Sequence, residues 1–219
     1  MNGKLGIRIA GSLVLVFLTG CNPMNTGSER RDTGATTTDG DPVYRKNPHP
    51  TQAYRITMTI EDAPGPFEWV SGTAFYDMTN RDACTPFDRS LGMSTKQKED
   101  GIPIDFQKIN DATYEATIYT DGMADADYYG KGICYWEFGG LGVSLKATGK
   151  GEETEFLPSL GNKQVATLTP ETKYFWKSRY PASGMAGFPD MGQSKAEDFN
   201  KDARSNLFKV TLIAERIAP

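Results

Sequence analysis

The stretch YRITMTIE, residues 54–61, decides the fold class because its residues alternate strictly between apolar and polar. Tyr54, Ile56, Met58 and Ile60 fall on one side, and the residues between them are charged or carry hydroxyl groups. Successive side chains of a β-strand point to opposite faces, so this period of two predicts a strand with one buried face.

The same alternation recurs in residues 114–119 and 208–215. Further strand candidates are separated by Gly, Pro and Asp residues, which favour turns. They are PFEWVSGTAFYD (66–77), GICYWEFGG (132–140), LGVSLKATG (141–149), KQVATLTP (163–170) and TKYFWKS (172–178). Many short strands with little helical pattern predict a mostly β protein, an antiparallel β-sandwich or a barrel.

One helix is predicted as an insertion, over SKAEDFNKDARSN, residues 194–206. Ser194 and Glu197 have the spacing of a capping box, in which the two side chains bond the first free backbone N–H groups. Phe199 and Ala203 lie four residues apart and would share one face of the helix.

Composition divides the chain into three parts. Residues 22–50 are rich in Gly, Thr, Asp and Pro and contain few aliphatic side chains, so they cannot bury enough apolar area to offset the entropy of ordering. We therefore expect residues 21–50 to form a flexible tether, and residues 51–219 to form a single β-sandwich domain. Residues 1–20 form the third part, a leader.

The leader has the layout of a secretory signal. Lys4 and Arg8 form its positive region, and residues 9–18 are mostly apolar but too few to span a bilayer, which takes roughly 20 residues. The sequence Leu18-Thr19-Gly20-Cys21 that ends it resembles the lipobox of bacterial lipoproteins.

This resemblance implies that Cys21 is acylated, that the peptide bond before it is cut, and that the new amino terminus is acylated too. Several acyl chains make such anchoring stable. Asn22 follows the cysteine, where an Asp favours retention in the inner membrane of enteric bacteria. The resemblance therefore implies a protein anchored by lipid to the outer membrane and facing the periplasm, with the inner membrane and the cell surface as alternatives.

Two cysteines, Cys84 and Cys134, remain once Cys21 carries lipid. In an oxidising compartment an even remainder predicts one disulfide, and two buried unpaired thiols are the alternative. Cys134 would share a strand face with Trp136 and Phe138, which would place the disulfide against aromatic side chains.

Charge and motifs narrow the functional classes. Removal of Lys4 and Arg8 from 24 basic residues leaves 22, against 28 acidic residues, so the mature chain carries a formal charge of −6. An acidic chain is a poor candidate for binding nucleic acid and a reasonable partner for a basic protein. The one histidine, His49, lies in the predicted tether, which excludes Ser-His-Asp and Cys-His catalysis on the domain. We expect that the protein is not an enzyme and binds no cofactor.

The acidic stretch TDGMADADYYG, residues 120–130, is the first candidate binding site. Three interpretations of it stay open: a solvated turn, a contact surface, or an irregular calcium site. If it is a contact surface, the predicted partner-binding residues are Asp121, Asp125, Asp127, Tyr128 and Tyr129.

The second candidate is SRYPASGMAGFPDMGQ, residues 178–193, a long connection without periodicity. Such loops are usually functional or disordered. Met185, Phe188 and Met191 would contact a partner if it is a binding loop, and would cover one end of the sandwich if it is structural.

Two functional classes therefore compete. A lipobox, a tether and a compact acidic β-domain resemble, in layout, the lipoprotein immunity proteins and hydrolase inhibitors that Gram-negative bacteria keep against secreted antibacterial effectors. This resemblance implies a protein that binds another protein and blocks it, favoured by complementary charge. The alternative is a carbohydrate- or ligand-binding module of the envelope. Trp69, Trp136 and Trp176 could form its sugar platform, but their positions in strand-like runs favour core packing.

Overall fold

The fold is an antiparallel β-sandwich, as the computed structural model of the chain shows for residues 42–182 and 189–218. The leader, Cys21 and the tether up to residue 41 lie outside these described residues. The strands are β1 (Ala53–Glu61), β2 (Trp69–Met78), β3 (Phe87–Asp88), β4 (Met93–Ser94), β5 (Glu99–Ile104), β6 (Gln107–Asn110), β7 (Thr113–Tyr119), β8 (Trp136–Lys146), β9 (Ser159–Gly161), β10 (Glu171–Trp176) and β11 (Leu207–Arg216).

Two sheets face each other across the core. The five-stranded sheet has the order β10-β11-β1-β7-β6, and the four-stranded sheet has the order β5-β2-β8-β9. Strands β3 and β4 form a separate small hairpin. The predicted sandwich is therefore confirmed.

Strand β1 lies at the centre of the five-stranded sheet and pairs with both β11 and β7. All four apolar residues of its alternating pattern are buried in the core, and so are the alternating apolar residues of β7 and β11. Met58, for example, lies opposite Leu212 on β11 and Tyr114 on β7. Burial of one complete face in three adjacent strands explains why the period of two predicts this sheet.

Strand β8 joins two segments that the sequence separates into different strands. The 11-residue strand continues through Gly139 and Gly140, and the register with β2 shifts between Phe75 and Tyr76. Gly140 has a φ of 144°, and a Cβ there would lie 2.9 Å from the carbonyl oxygen of Leu160 on β9. These glycines therefore form a bulge that brings β9 close to β8, and do not end the strand.

The helices differ from those predicted. The segment 163–170 is predicted as a strand, but its residues 163–167 belong to helix α2 (Asn162–Thr167). Val165 is the one residue of this helix that is buried, and it belongs to the main core cluster. Leu168 ends the helix in a left-handed conformation with φ of 55°, and its backbone N–H bonds the last turn.

The predicted helix over residues 194–206 is wrong in extent and in its cap. The chain there forms a 3₁₀ turn (Ala196–Asp198) and helix α3 (Lys201–Arg204), with a first short helix α1 (Arg81–Cys84) elsewhere in the chain. The hydroxyl of Ser194 accepts a bond from Lys173 Nζ, so it is engaged with β10 and caps nothing. Among the described residues no helix has both the length and the hydrophobicity needed to cross a membrane.

The first described residues pack against the domain. Asn47 donates its backbone N–H to the carbonyl oxygen of Gly122, and the Arg45 carbonyl accepts from Ala124. The Tyr44 ring contacts the rings of Tyr128 and Trp136 edge to face. Residues 44–47, which composition assigns to the tether, therefore contribute to the folded domain.

Candidate functional site

Asp121, the first residue of the predicted acidic site, holds the start of β1. Its carboxylate accepts hydrogen bonds from the backbone N–H groups of Thr51 and Gln52, at 2.7 and 3.0 Å, and from the Thr51 hydroxyl. Partial burial works to raise the pKa of Asp121, but these hydrogen bonds outweigh it and hold the pKa below its ordinary value. The charge of Asp121 thus stabilises the fold locally.

The other two acidic residues of this loop also bind backbone. Asp125 accepts from the N–H of Trp136 at 2.9 Å, and Asp127 accepts from the N–H of Lys131 at 3.0 Å. Within residues 42–182 and 189–218, no three His, Cys, Asp or Glu side chains group in a way that could hold a metal ion. The three carboxylates are therefore dispersed along the turn and not gathered into a cage.

Tyr128 and Tyr129 are half-buried beside the disulfide between Cys84 and Cys134. The Tyr128 hydroxyl donates to the carbonyl oxygen of Ala124 at 2.6 Å, and the Tyr129 hydroxyl lies 2.9 Å from that of Tyr44. Both rings thus fix this loop to residues 44 and 45. The predicted disulfide is confirmed, and we call it, with Met78 and the aromatic residues packed on it, the disulfide-bonded lobe.

A polar cleft of about 880 Å³ lies next to this loop. Asp121 and Asp125 line it together with Asn47, Gln52 and Lys163. Its two aspartates are already engaged by backbone N–H groups, which reduces what they offer to a ligand.

Of the second predicted loop, Met185 and Phe188 lie outside the described residues, and Met191 lies inside them. Met191 is 59% exposed and stands at the rim of a groove of about 600 Å³. The groove runs over the outer face of the four-stranded sheet. Met191 is the one residue of this groove that the sequence predicts as a contact residue.

The floor of this groove is formed by glycines and hydroxyl-bearing residues. Gly139, Gly140, Gly142 and Gly161 come from β8 and β9, and the lining hydroxyls belong to Ser71, Thr73, Ser144 and Ser159. The missing side chains leave room for neighbouring groups: the Asp77 carboxylate lies over Gly139, and the Phe75 ring lies over Gly142.

Among the described residues that line the groove, Phe75 on β2 is the one with a large aromatic side chain. A Cβ on Gly142 would lie 3.3 Å from its ring, and a Cβ on Gly101 of β5 would lie 3.8 Å from it. The ring therefore lies across the strands, over glycines on both sides, and 47% of the residue stays exposed. A flat aromatic surface held in this way suits the contact core of an interface.

The carboxylates of Asp77 and Glu99 line one end of the groove, and Glu137 lies next to them, at the border with the polar cleft. Asp77 on β2 lies opposite Glu99 on β5 and opposite Glu137 on β8, and all three residues are exposed. Lys98 Nζ lies 3.5 Å from Glu99, whereas neither Asp77 nor Glu137 has a basic side chain within salt-bridge distance among the described residues. Like charges directly opposite across strands destabilise a sheet, so this carboxylate row costs stability.

The tryptophans do not form one platform. Trp69 and Trp176 are 38% and 41% exposed, so the prediction of core packing is wrong for these two, while Trp136 is half-buried. Trp69 begins β2 of the four-stranded sheet and lies under Lys146 Nζ, and Trp176 ends β10 of the other sheet. The exposed pair is thus split between the two sheets.

Comparison with protein-family models, with curated proteins and with solved structures finds no match for this chain.

Proposed function

We propose that the protein is a binding protein that docks on another protein through the groove and blocks it. The observation that carries this proposal is the Phe75 ring, which lies exposed over a glycine floor. An aromatic side chain in a concave surface, with hydroxyl groups around it, has the composition of a protein contact site.

The electrostatics favour a basic partner. The carboxylate row of Asp77, Glu99 and Glu137 adds local negative charge to a chain that is acidic overall. Complementary charge speeds association and selects partners, which fits a protein that must find and block a basic target. An immunity protein or an inhibitor of a secreted antibacterial effector or hydrolase is the class that this layout favours.

A carbohydrate- or ligand-binding module of the envelope is the second candidate. A single flat ring such as Phe75 can stack on the apolar face of a sugar, and Asp77 and Ser144 could accept hydrogen bonds from its hydroxyl groups. The two candidates differ in the molecule that Phe75 would contact.

The test uses Phe75→Ala and a matched control, Phe87→Ala, whose side chain is 51% exposed on the small hairpin. We expect the wild-type full chain to capture one protein from envelope extracts in stoichiometric amount. Phe75→Ala should weaken this binding by about 2 kcal/mol and Phe87→Ala should leave it within about 0.5 kcal/mol, with melting nearly unchanged in both. If Phe75→Ala binds the partner as tightly as Phe87→Ala and the wild type do, the groove is not the contact site. If the wild-type chain captures no protein and is retained only on glycans, the second candidate is favoured.

The proposed address is the outer membrane, with the domain anchored through Cys21 and facing the periplasm. Cys21→Ser should abolish acylation, since the thiol is the acceptor of the lipid, and should release the protein from the membrane fraction or leave an unprocessed precursor. Fractionation of cells and intact mass of the product measure this. Normal processing and membrane retention of Cys21→Ser would contradict the lipoprotein proposal without affecting the groove.

A further inference from the structure

The spacing of Phe75 and Asp77 defines two contact points in the groove. Both residues face outward from β2, and alternate residues of a strand lie about 7 Å apart along it. The Asp77 carboxylate lies over Gly139, where a Cβ would come within 2.6 Å of Oδ2, so this side chain leans over the floor of the groove. The Phe75 ring and the Asp77 carboxylate therefore lie next to each other, separated by the distance between residues two positions apart in an extended chain.

We infer that the groove takes an extended segment of the partner in which an apolar residue and a Lys or Arg stand two positions apart. This inference rests on the proposed function and names the chemistry of the partner. The apolar side chain would lie on the Phe75 ring, and the basic group would bond Asp77 and come near its neighbours in the carboxylate row. Side chains two apart in an extended chain point the same way, which matches the two contact points on β2.

The carboxylate row favours a cation over a neutral ligand. Asp77 and Glu137 lie directly opposite each other on adjacent strands, and the described chain supplies neither with a basic partner. A cation placed between them would offset their repulsion, whereas a sugar hydroxyl would accept or donate a hydrogen bond and leave both charges in place.

Asp77→Asn separates these roles, since the amide keeps a hydrogen-bonding oxygen and loses the charge. Relief of like-charge repulsion should raise the melting temperature of this variant by about 1 to 2 °C. A substitution that stabilises the domain and weakens binding identifies a residue kept for function. Asp111→Asn serves as the control, because Asp111 is an exposed aspartate in the turn between β6 and β7, on the other sheet.

The probes are three capped nonapeptides with a Gly/Ser background and the neutral sugar maltotriose. The first peptide carries Leu and Arg two positions apart. The second carries Leu and Glu at the same spacing, and the third carries Leu and Arg three positions apart. Titration of the full chain by calorimetry should show binding of the first peptide, weaker than a natural partner, and a falling affinity as salt rises. Asp77→Asn should weaken this binding by about 5-fold, and Asp111→Asn should not change it.

Three results would overturn the inference: equal binding of the Leu–Glu peptide, equal binding of the peptide with the longer spacing, or no binding of the Leu–Arg peptide at millimolar concentration. In each case loss of partner capture in Phe75→Ala would still support the proposed function. Binding of maltotriose that Phe75→Ala abolishes and Asp77→Asn leaves unchanged would overturn both, because it assigns the groove to a sugar.

Discussion

Phe156→Ala is expected to lower the free energy of unfolding by about 3 to 5 kcal/mol, since truncation of a buried aromatic ring removes its transfer free energy and leaves a cavity. Phe156 is fully buried, and its ring contacts those of Phe67, Phe175 and Phe208 edge to face, at centroid distances of 5.2 to 5.8 Å. These partners come from different parts of the chain, so relaxation around the cavity should be small.

Denaturant unfolding followed by tryptophan fluorescence measures this effect. The control is Phe87→Ala, which removes the same side chain from an exposed position and should change stability by no more than about 0.5 kcal/mol. A loss below about 1 kcal/mol for Phe156→Ala would contradict the position of this ring at the centre of the core.

The same position makes Phe156 important for the groove. The backbone on either side of it binds the loop that carries Met191: Leu157 donates to the carbonyl oxygen of Asp190 at 2.8 Å, and Asp190 donates to that of Glu155 at 2.7 Å. Asp190 also forms an ion pair with Arg179 at 3.1 Å. A shift of this backbone would therefore move one wall of the groove.

The five-stranded sheet could be predicted from sequence because its central strands bury one complete face. Each apolar residue of β1 is needed by the core, and the alternation of Tyr54, Ile56, Met58 and Ile60 is the direct result. The segment that forms α2 carries no such signal, since only Val165 is buried and a single apolar residue is compatible with a strand or a helix. The capping-box spacing of Ser194 and Glu197 predicted a helix start that does not form. The Ser194 hydroxyl is bound by Lys173 and Glu171 on β10, and local spacing does not reveal such distant partners.

The groove could not be predicted from the same patterns. Phe75 and Asp77 occupy the solvent-facing positions of an alternating strand, where sequence alone does not distinguish an open face from a covered one. The glycines at 139, 140 and 142 carried the available signal, but they resemble turn residues until β2 is paired with β8. Met191 was predicted as a contact residue from loop composition, and it lies at the rim of the groove. The predicted contact residues Asp121, Asp125, Asp127, Tyr128 and Tyr129 make hydrogen bonds within the chain, and their contact with a partner stays a prediction.

Removal of the disulfide between Cys84 and Cys134 is expected to cost about 4 kcal/mol of unfolding free energy, within a range of about 2 to 5. The bond spans a sequence separation of 50 residues, and opening a loop of this length returns entropy to the unfolded chain. The two sulfurs lie in the buried cluster with Met78, against which Tyr44, Tyr128, Tyr129 and Trp136 pack. The native contacts of this lobe should therefore persist after reduction, while the unfolded state gains freedom.

This mechanism predicts which quantity changes. The Cys84→Ala, Cys134→Ala double variant should unfold at a lower guanidinium concentration than the oxidised protein, with a steeper dependence on denaturant because its unfolded chain exposes more surface. Reduced wild type should behave like the double variant, apart from the small loss of two buried sulfur atoms. Capture of a partner through the groove should survive below the melting temperature, because β2 and β8, which carry Phe75 and the glycine floor, stay paired along their length without the disulfide at their end. An unchanged midpoint would refute the entropic role of the bond, and lost capture by a still-folded double variant would mean that the disulfide-bonded lobe is itself part of the binding surface.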